Sequence, residues 1–301
     1  MIYNIRHLTA YSYDRAVASA RLVLRVTPRE EDGQRTVAYA LHISPEPMSI
    51  DTERDFYGNT VNVVTIDTEH TELSIEAVST VELTHQAALP LEGEPWEEVS
   101  DAVLLSRDLT GSAPVHFMFA SPRIELSPDV TGYARESFKP GRGILEASRD
   151  LMKRIRKDFD YKPETTDINT PLVEAFKQRQ GVCQDFAHIM IAGMRGLGLP
   201  AAYVSGYIRT IPPPGEKRLE GADATHAWVS VWCGTSGWLG FDPTNAIDVG
   251  NDHIALAVGR DFSDVSPVFG VFVGSGGTEL DVEVDVVPVV PAAPEPRAAK
   301  A

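Results

Sequence analysis

The chain has 301 residues, 43% hydrophobic and 23% charged, the proportions of a globular protein large enough for two domains. Acidic residues outnumber basic ones by 43 to 27, and a net charge of −16 argues against nucleic acid as a partner. No apolar run is long enough to span a bilayer, the N-terminus lacks a signal peptide's apolar core, and two cysteines suit a reducing compartment, so the expected location is cytoplasmic.

The first 90 residues read as antiparallel sheet. Strands are expected at 2–7 and 21–26, and 73–83 puts Leu73, Ile75, Ala77, Val81 and Leu83 on one face of a period-two pattern. Gly58-Asn59 offers turn backbone with positive φ between two further strands. Such spacing predicts a β-sandwich-like domain ending near Leu89–Pro95. From about residue 128 the period becomes helical: Ile144, Ala147, Leu151, Ile155 and Phe159 define one helix. A second is expected from Thr170-Pro171, with the threonine as N-cap, to about Arg179. A third starts near Cys183 and stops at Gly196–Pro200. Strands follow at 202–210, 224–233 and 238–242, and the Pro/Ala-rich residues 288–301 read as a disordered tail.

Cys183 stands behind a glycine break at the start of an apolar helix, where free N–H groups and the helix dipole favour thiolate over thiol. His188 follows five residues later, a spacing that turns it to another helix face, so it reads as a structural histidine. Asp185 reads as a first-turn acid stabilising the helix N-terminus. The candidate base is His226, on a strand face shared with Trp228, Ser230 and Trp232. The next strand ends at Asp242, which close antiparallel pairing can bring to the imidazole. A carboxylate is expected to hold the histidine's Nδ1–H and so fix its tautomer. Cys233 alternates with Trp232 and reads as buried packing. Tyr207 and Trp228 would either line an acyl pocket or fill the core, with the core favoured. Metal-ligand spacings such as C-x-x-C or H-E-x-x-H are missing from the sequence, and no cofactor or metal is expected.

Three stretches, GVCQDFAH at 181–188, THAWV at 225–229 and FDPTN at 241–245, together resemble the bacterial transglutaminase-like family. HIALAVGRDFSDVSPVFG at 253–270 is similar to the segment closing that family's core, and HLTAYSYD, RVTPREEDGQRT and DFYGNTV resemble the β-domain preceding it. The resemblance implies an α+β fold: an antiparallel β-sandwich-like domain at 1–90, a connecting segment at 91–127, and a papain-like transglutaminase core at 128–287. In that core, helices pack on an antiparallel sheet. It further implies a catalytic trio of Cys183, His226 and Asp242 acting on a peptide or amide substrate, hydrolytically or by acyl transfer through a thioester. The Cys183 backbone N–H is the natural first oxyanion donor, and Tyr161 is the one aromatic in the stretch just upstream. The rival reading is a binding module that kept the fold without turnover, with the β-domain as a surface for a protein partner.

Overall fold

The strands expected near the N-terminus form, and two strands from the far end of the chain complete their sheets. The computed structural model describes residues 1–84, 93–163, 165–167, 169–210 and 224–289. The chain runs through β1 (Ile2–Val17), β2 (Ser19–Leu24), β3 (Gln34–Ser44), β4 (Ser49–Arg54), β5 (Thr60–Ile66) and β6 (His70–Leu83). Next come α1 (Trp96–Leu105), α2 (Pro128–Arg135), α3 (Ile144–Asp158), β7 (Asp160–Tyr161), α4 (Leu172–Gln178), β8 (Gln180–Gly181) and α5 (Cys183–Gly196). It closes with β9 (Ala201–Ile208), β10 (Ala224–Trp232), β11 (Trp238–Asp242), β12 (Ile247–Asp248), β13 (His253–Gly259), α6 (Phe262–Val265), β14 (Val268–Val273) and β15 (Thr278–Pro288). Among the described residues, no helix is long and apolar enough to cross a membrane.

The two sheets of the β-domain have the orders β15-β1-β6-β3 and β14-β2-β5-β4. Alternation turns Leu22, Leu24, Val64 and Ile66 of one sheet onto Leu73, Ile75 and Ala77 of the other, which makes the sandwich core. All five apolar residues read from 73–83 are buried. The expected unit 128–287 divides differently from the hydrogen bonds, because β14 pairs with β2 and β15 with β1. The connecting segment also departs from expectation. It carries α1, and Val99 and Ile124 join the core of the second unit. The expected boundary at Leu89–Pro95 lies mostly outside the described residues, as does the tail from 290 onward.

The second unit is a five-stranded sheet, β12-β11-β10-β9-β13, with α5 across one face. From Phe186 to Met194 every residue of α5 is buried, as suits a helix enclosed by the sheet and by α2 and α3. α4 starts at Leu172, with Pro171 in the N-cap place, one residue later than Thr170-Pro171 suggests. The Thr170 hydroxyl is spent on a local turn instead: it accepts from the Asp167 N–H at 2.9 Å and donates to that side chain at 3.3 Å.

β13 is an edge strand, and side-chain amides from the β-domain pair with it. Gln34 donates to the Ala255 carbonyl and accepts from its N–H, both at 2.8 Å. Asn59 does the same to Val258, again at 2.8 Å each way. Gly58 has the positive φ of 79° expected of the turn; Asn59 does not, and its buried side chain serves this clamp. Asn59→Asp, nearly isosteric, sets a carboxylate oxygen against the Val258 carbonyl. It keeps the bond accepted from the Val258 N–H but loses those donated to the Val258 carbonyl and to Asp55, and should cost on the order of 2–4 kcal/mol in urea unfolding followed by far-UV circular dichroism. A loss under half a kilocalorie would show the clamp to be energetically idle.

Candidate active site

Arg179, at φ 56°, ends α4 and turns the chain into β8, which pairs in parallel with β7 so that Gly181 lies opposite Tyr161. Two residues later α5 begins, and Cys183 is its first residue, partly exposed. The first intrahelical bond runs from the Phe186 N–H to the Val182 carbonyl, so the N–H of Cys183 precedes the helical ladder. A Cβ on Gly181 would sit 2.5 Å from the Asp185 carboxylate, so only glycine lets that carboxylate close the turn. Asp185 accepts from the Val182 N–H at 2.8 Å and the Thr166 hydroxyl at 2.7 Å, the helix-start role read from its position. Burial pushes its carboxyl up, against those two bonds.

β10 and β11 pair with Val229 opposite Phe241, which sets Asp242 level with Trp228 and His226 one pleat repeat further. His226 donates through Nε2 to Asp242 Oδ2 at 2.8 Å. This corrects the expected tautomer: the carboxylate holds Nε2, and Nδ1 is the ring nitrogen left for the Cys183 thiol. Burial alone would lower the imidazole, but its bonds to Asp242 and Cys183 outweigh that and push it up to about 9. Asp242 is fully buried. Burial would raise its carboxyl, yet donors from His226, His253 and Asn245 hold it well below the usual range. The N–H groups of Thr244 and Asn245 close on Oδ1 at 2.9 and 3.1 Å, and the Asn245 amide reaches Oδ2 at 2.7 Å.

His253 is the member of this cluster that sequence reasoning missed. Its Nδ1 accepts from the Gly250 N–H at 3.4 Å, which leaves Nε2 protonated to donate to Asp242 Oδ2 at 3.2 Å. Its stretch, 253–270, carries part of the family resemblance, but only the β13 pairing brings the ring beside Asp242. Trp228 meets His253 edge-on at 5.2 Å and lies 6.2 Å from His226. Gly206, opposite His226 in the register, makes room: a Cβ there would be 2.4 Å from the Trp228 ring. His226, Asp242 and His253 also place three donor atoms within 4.8 Å of one another, a geometry that could hold a metal ion, although both rings here direct Nε2 at the same oxygen.

The remaining sequence candidates, Trp228 apart, fall outside this cluster. His188 is buried in α5, where Nε2 accepts from the Phe262 N–H at 3.3 Å and the ring packs on Tyr203. Cys233 is buried in the main core and burial pushes its thiol up. Trp228 and Tyr207 are core residues, and the Tyr207 hydroxyl bonds His7 Nδ1 at 2.7 Å. Tyr161 is half-exposed; burial and the nearby Cys183 raise its phenol. A cleft of about 370 Å³ opens over Cys183 and His226. A second hollow, beside α2, has neither cysteine nor histidine in its lining.

The histidines also set the pH range of stability. Burial lowers His7 and His188 to about 4 each, so the unfolded chain takes up protons that the fold refuses. Stability should therefore fall as pH drops from about 6.5 through 4. His226 acts in the opposite sense: its contribution is complete below about 6.5 and is lost as pH rises through 9. Thermal unfolding from pH 4 to 10 should trace both limbs, and His188→Gln should flatten the acid limb alone. An acid limb unchanged in that variant would remove His188 from this account.

Residues 3–82 match the family model of the bacterial transglutaminase-like N-terminal region, and 131–243 match that of the transglutaminase-like superfamily. An uncharacterized protein of Mycobacterium tuberculosis is 41% identical over 295 residues, covering 95% of this chain and 92% of its own. The chain belongs to the bacterial transglutaminase-like family. A second relative, from Mycobacterium leprae, is 30% identical and covers 94% of this chain and 97% of its own. A solved Cytophaga hutchinsonii structure, provisionally titled a cysteine protease, superposes with a TM-score of 0.75 at 21% identity over 96% of this chain and 92% of that one. A Pseudomonas aeruginosa protein-glutamine gamma-glutamyltransferase shares 31% identity over 102 residues, 31% of this chain and 15% of that protein. The superfamily match at 131–243 takes in Cys183, His226 and Asp242 and stops short of the transglutaminase-like chain's His253.

Proposed function

We propose that this protein is a thiol-dependent enzyme that opens amide bonds through a thioester on Cys183. The observation that carries the reading is His226, held between the Cys183 thiol and a buried carboxylate and pushed up to about 9. An imidazole with that affinity for a proton serves as the base that accepts the thiol's proton when the sulfur becomes the nucleophile. The sulfur attacks the amide carbon, and the carbonyl oxygen becomes an oxyanion facing the N–H of Cys183 at the start of α5. His226 then gives its proton to the departing nitrogen, the C–N bond breaks, and an acyl thioester remains on Cys183. Water or a primary amine, deprotonated by His226, attacks that thioester and frees the sulfur. Asp242 stays ionised throughout and balances the imidazolium. Its further donors hold it in place for that task.

Peptides and simple amides form the substrate class of this reading, and the likeness to a protein-glutamine gamma-glutamyltransferase over 102 residues supports it. Both cysteines are free thiols, which suits a reducing cytoplasm. The test is mass spectrometry of a peptide and amide panel incubated with and without a primary amine. Hydrolysis adds water to the acyl product and transfer adds the amine, while Cys183→Ala should give neither. No product from any donor, together with no acyl adduct on Cys183, would return the protein to the class of binding modules.

A further inference from the structure

One face of the β1–β15 pair performs two tasks along its length. In the register of this pair Ile5 lies opposite Val286, His7 opposite Val284, Thr9 opposite Val282 and Tyr11 opposite Leu280. Because side chains repeat every second residue, these eight share a face of the sheet. At one end Ile5, Val284 and Val286 are buried with Tyr3 against Tyr207, Ile254 and Leu256 of the second unit, which docks the two units together. The His7–Tyr207 bond adds a polar link at the limit of this contact. Past that point the same face lifts off the second unit and lines the cleft over Cys183, through His7, Thr9, Tyr11, Leu280 and Val282.

Leu280 and Val282 are 58% and 44% exposed, so apolar surface stands open to water beside a nucleophile. Among the described residues, the lining of this cleft contains no Asp, Glu, Lys or Arg, although the chain carries 70 of them. Apart from the His226 ring beside Cys183, a charged group laid along Leu280 and Val282 would lose water without gaining a charged partner in that lining. An apolar chain would cover Leu280 and Val282 and gain from doing so.

We propose that the β-domain is half of the substrate site: the β1–β15 face receives an uncharged, apolar stretch of the substrate flanking the amide that meets Cys183. This rests on Cys183 being the reactive thiol of the proposed enzyme, and it gives the first domain a role in selecting substrate as well as in stability. The face is fixed relative to Cys183 by the buried contact at its other end, so it acts as a rigid wall.

Affinity labelling tests the wall without requiring turnover. The full chain is alkylated at Cys183 by iodoacetamide, by iodoacetamide bearing an N-phenethyl group, and by one bearing an N-carboxyethyl group. Each rate is divided by that of free cysteine. The phenethyl reagent should exceed the parent reagent by about tenfold and the carboxyethyl reagent should fall below it, the range one apolar group earns in a pocket. Leu280→Glu and Val282→Glu should each erase most of the phenethyl advantage, and Leu280→Arg should raise the carboxyethyl rate. Val287→Glu, on the outward face of β15 at 42% exposure, adds the same charge and should leave all three ratios unchanged. Equal phenethyl advantages in wild type, Leu280→Glu, Val282→Glu and Val287→Glu would overturn the proposal. Should labelling follow the expected pattern while no amide is ever turned over, the wall stands and the enzymatic reading falls.

Discussion

Replacing His226 by Gln is expected to slow alkylation of Cys183 at pH 6 by about tenfold or more, with little change above pH 10. The imidazole, pushed up to about 9, is protonated at pH 6 and its charge favours thiolate beside it. Glutamine carries no such charge, so the low-pH rate falls, whereas at high pH the thiolate forms without help. Asp242→Asn should give a milder loss, because an amide NH2 meets two Nε2–H donors, from His226 and His253, and unsettles the tautomer. His188→Gln should leave the profile in place, since that ring accepts from the Phe262 N–H and packs on Tyr203 rather than bonding the thiol. A profile that moves for His188→Gln and stays for His226→Gln would make the sequence neighbour the base. Cys233, buried in the main core, should label far more slowly than Cys183 in every variant.

Ending the chain after Ser266 should be more damaging than any point substitution, although it spares Cys183, His226, Asp242 and His253. The cut removes β14 and β15, each an outer strand of one β-domain sheet. It takes Val284 and Val286 out of the contact between the units. Two fully buried valines alone are worth on the order of 3–6 kcal/mol, comparable to the whole stability of many domains. The truncated chain is expected to lose its cooperative thermal transition and to collect in the insoluble fraction on expression. A soluble fragment with an unaltered melting temperature would show that the C-terminal strands are ornamental. Removing only residues 290–301 should leave the melting temperature where it was.

What the sequence made legible was short-range. A glycine followed by an apolar helix located Cys183 and its capping Asp185, and strand alternation put Leu73, Ile75, Ala77, Val81 and Leu83 inside. A tight hairpin brought His226 and Asp242 within reach of each other, since few registers are open to strands joined by a short turn. Longer-range relations were hidden. His253 finds Asp242 only because β13 pairs with β9 from across the sheet. Asn59 looked like a turn residue because its clamp partner, Val258, is distant in sequence. The sequence reading placed no strand at β14 or β15, and period-two patterning in any case names a face and never a partner strand.

The pairing of first strands with last has a consequence for synthesis. A ribosome makes β1 and β2 before any other element described, yet their outer neighbours, β15 and β14, are the last of those elements to be made. At about 5–20 residues per second, that leaves the early sheets incomplete for roughly ten to fifty seconds. Throughout this interval β1 and β2 offer unpaired edges to any neighbouring nascent chain. The second unit can assemble meanwhile, because α5, β9, β10 and β11 follow one another closely. The β-domain therefore closes last, and a chaperone that shields β1 and β2 would protect the vulnerable stage.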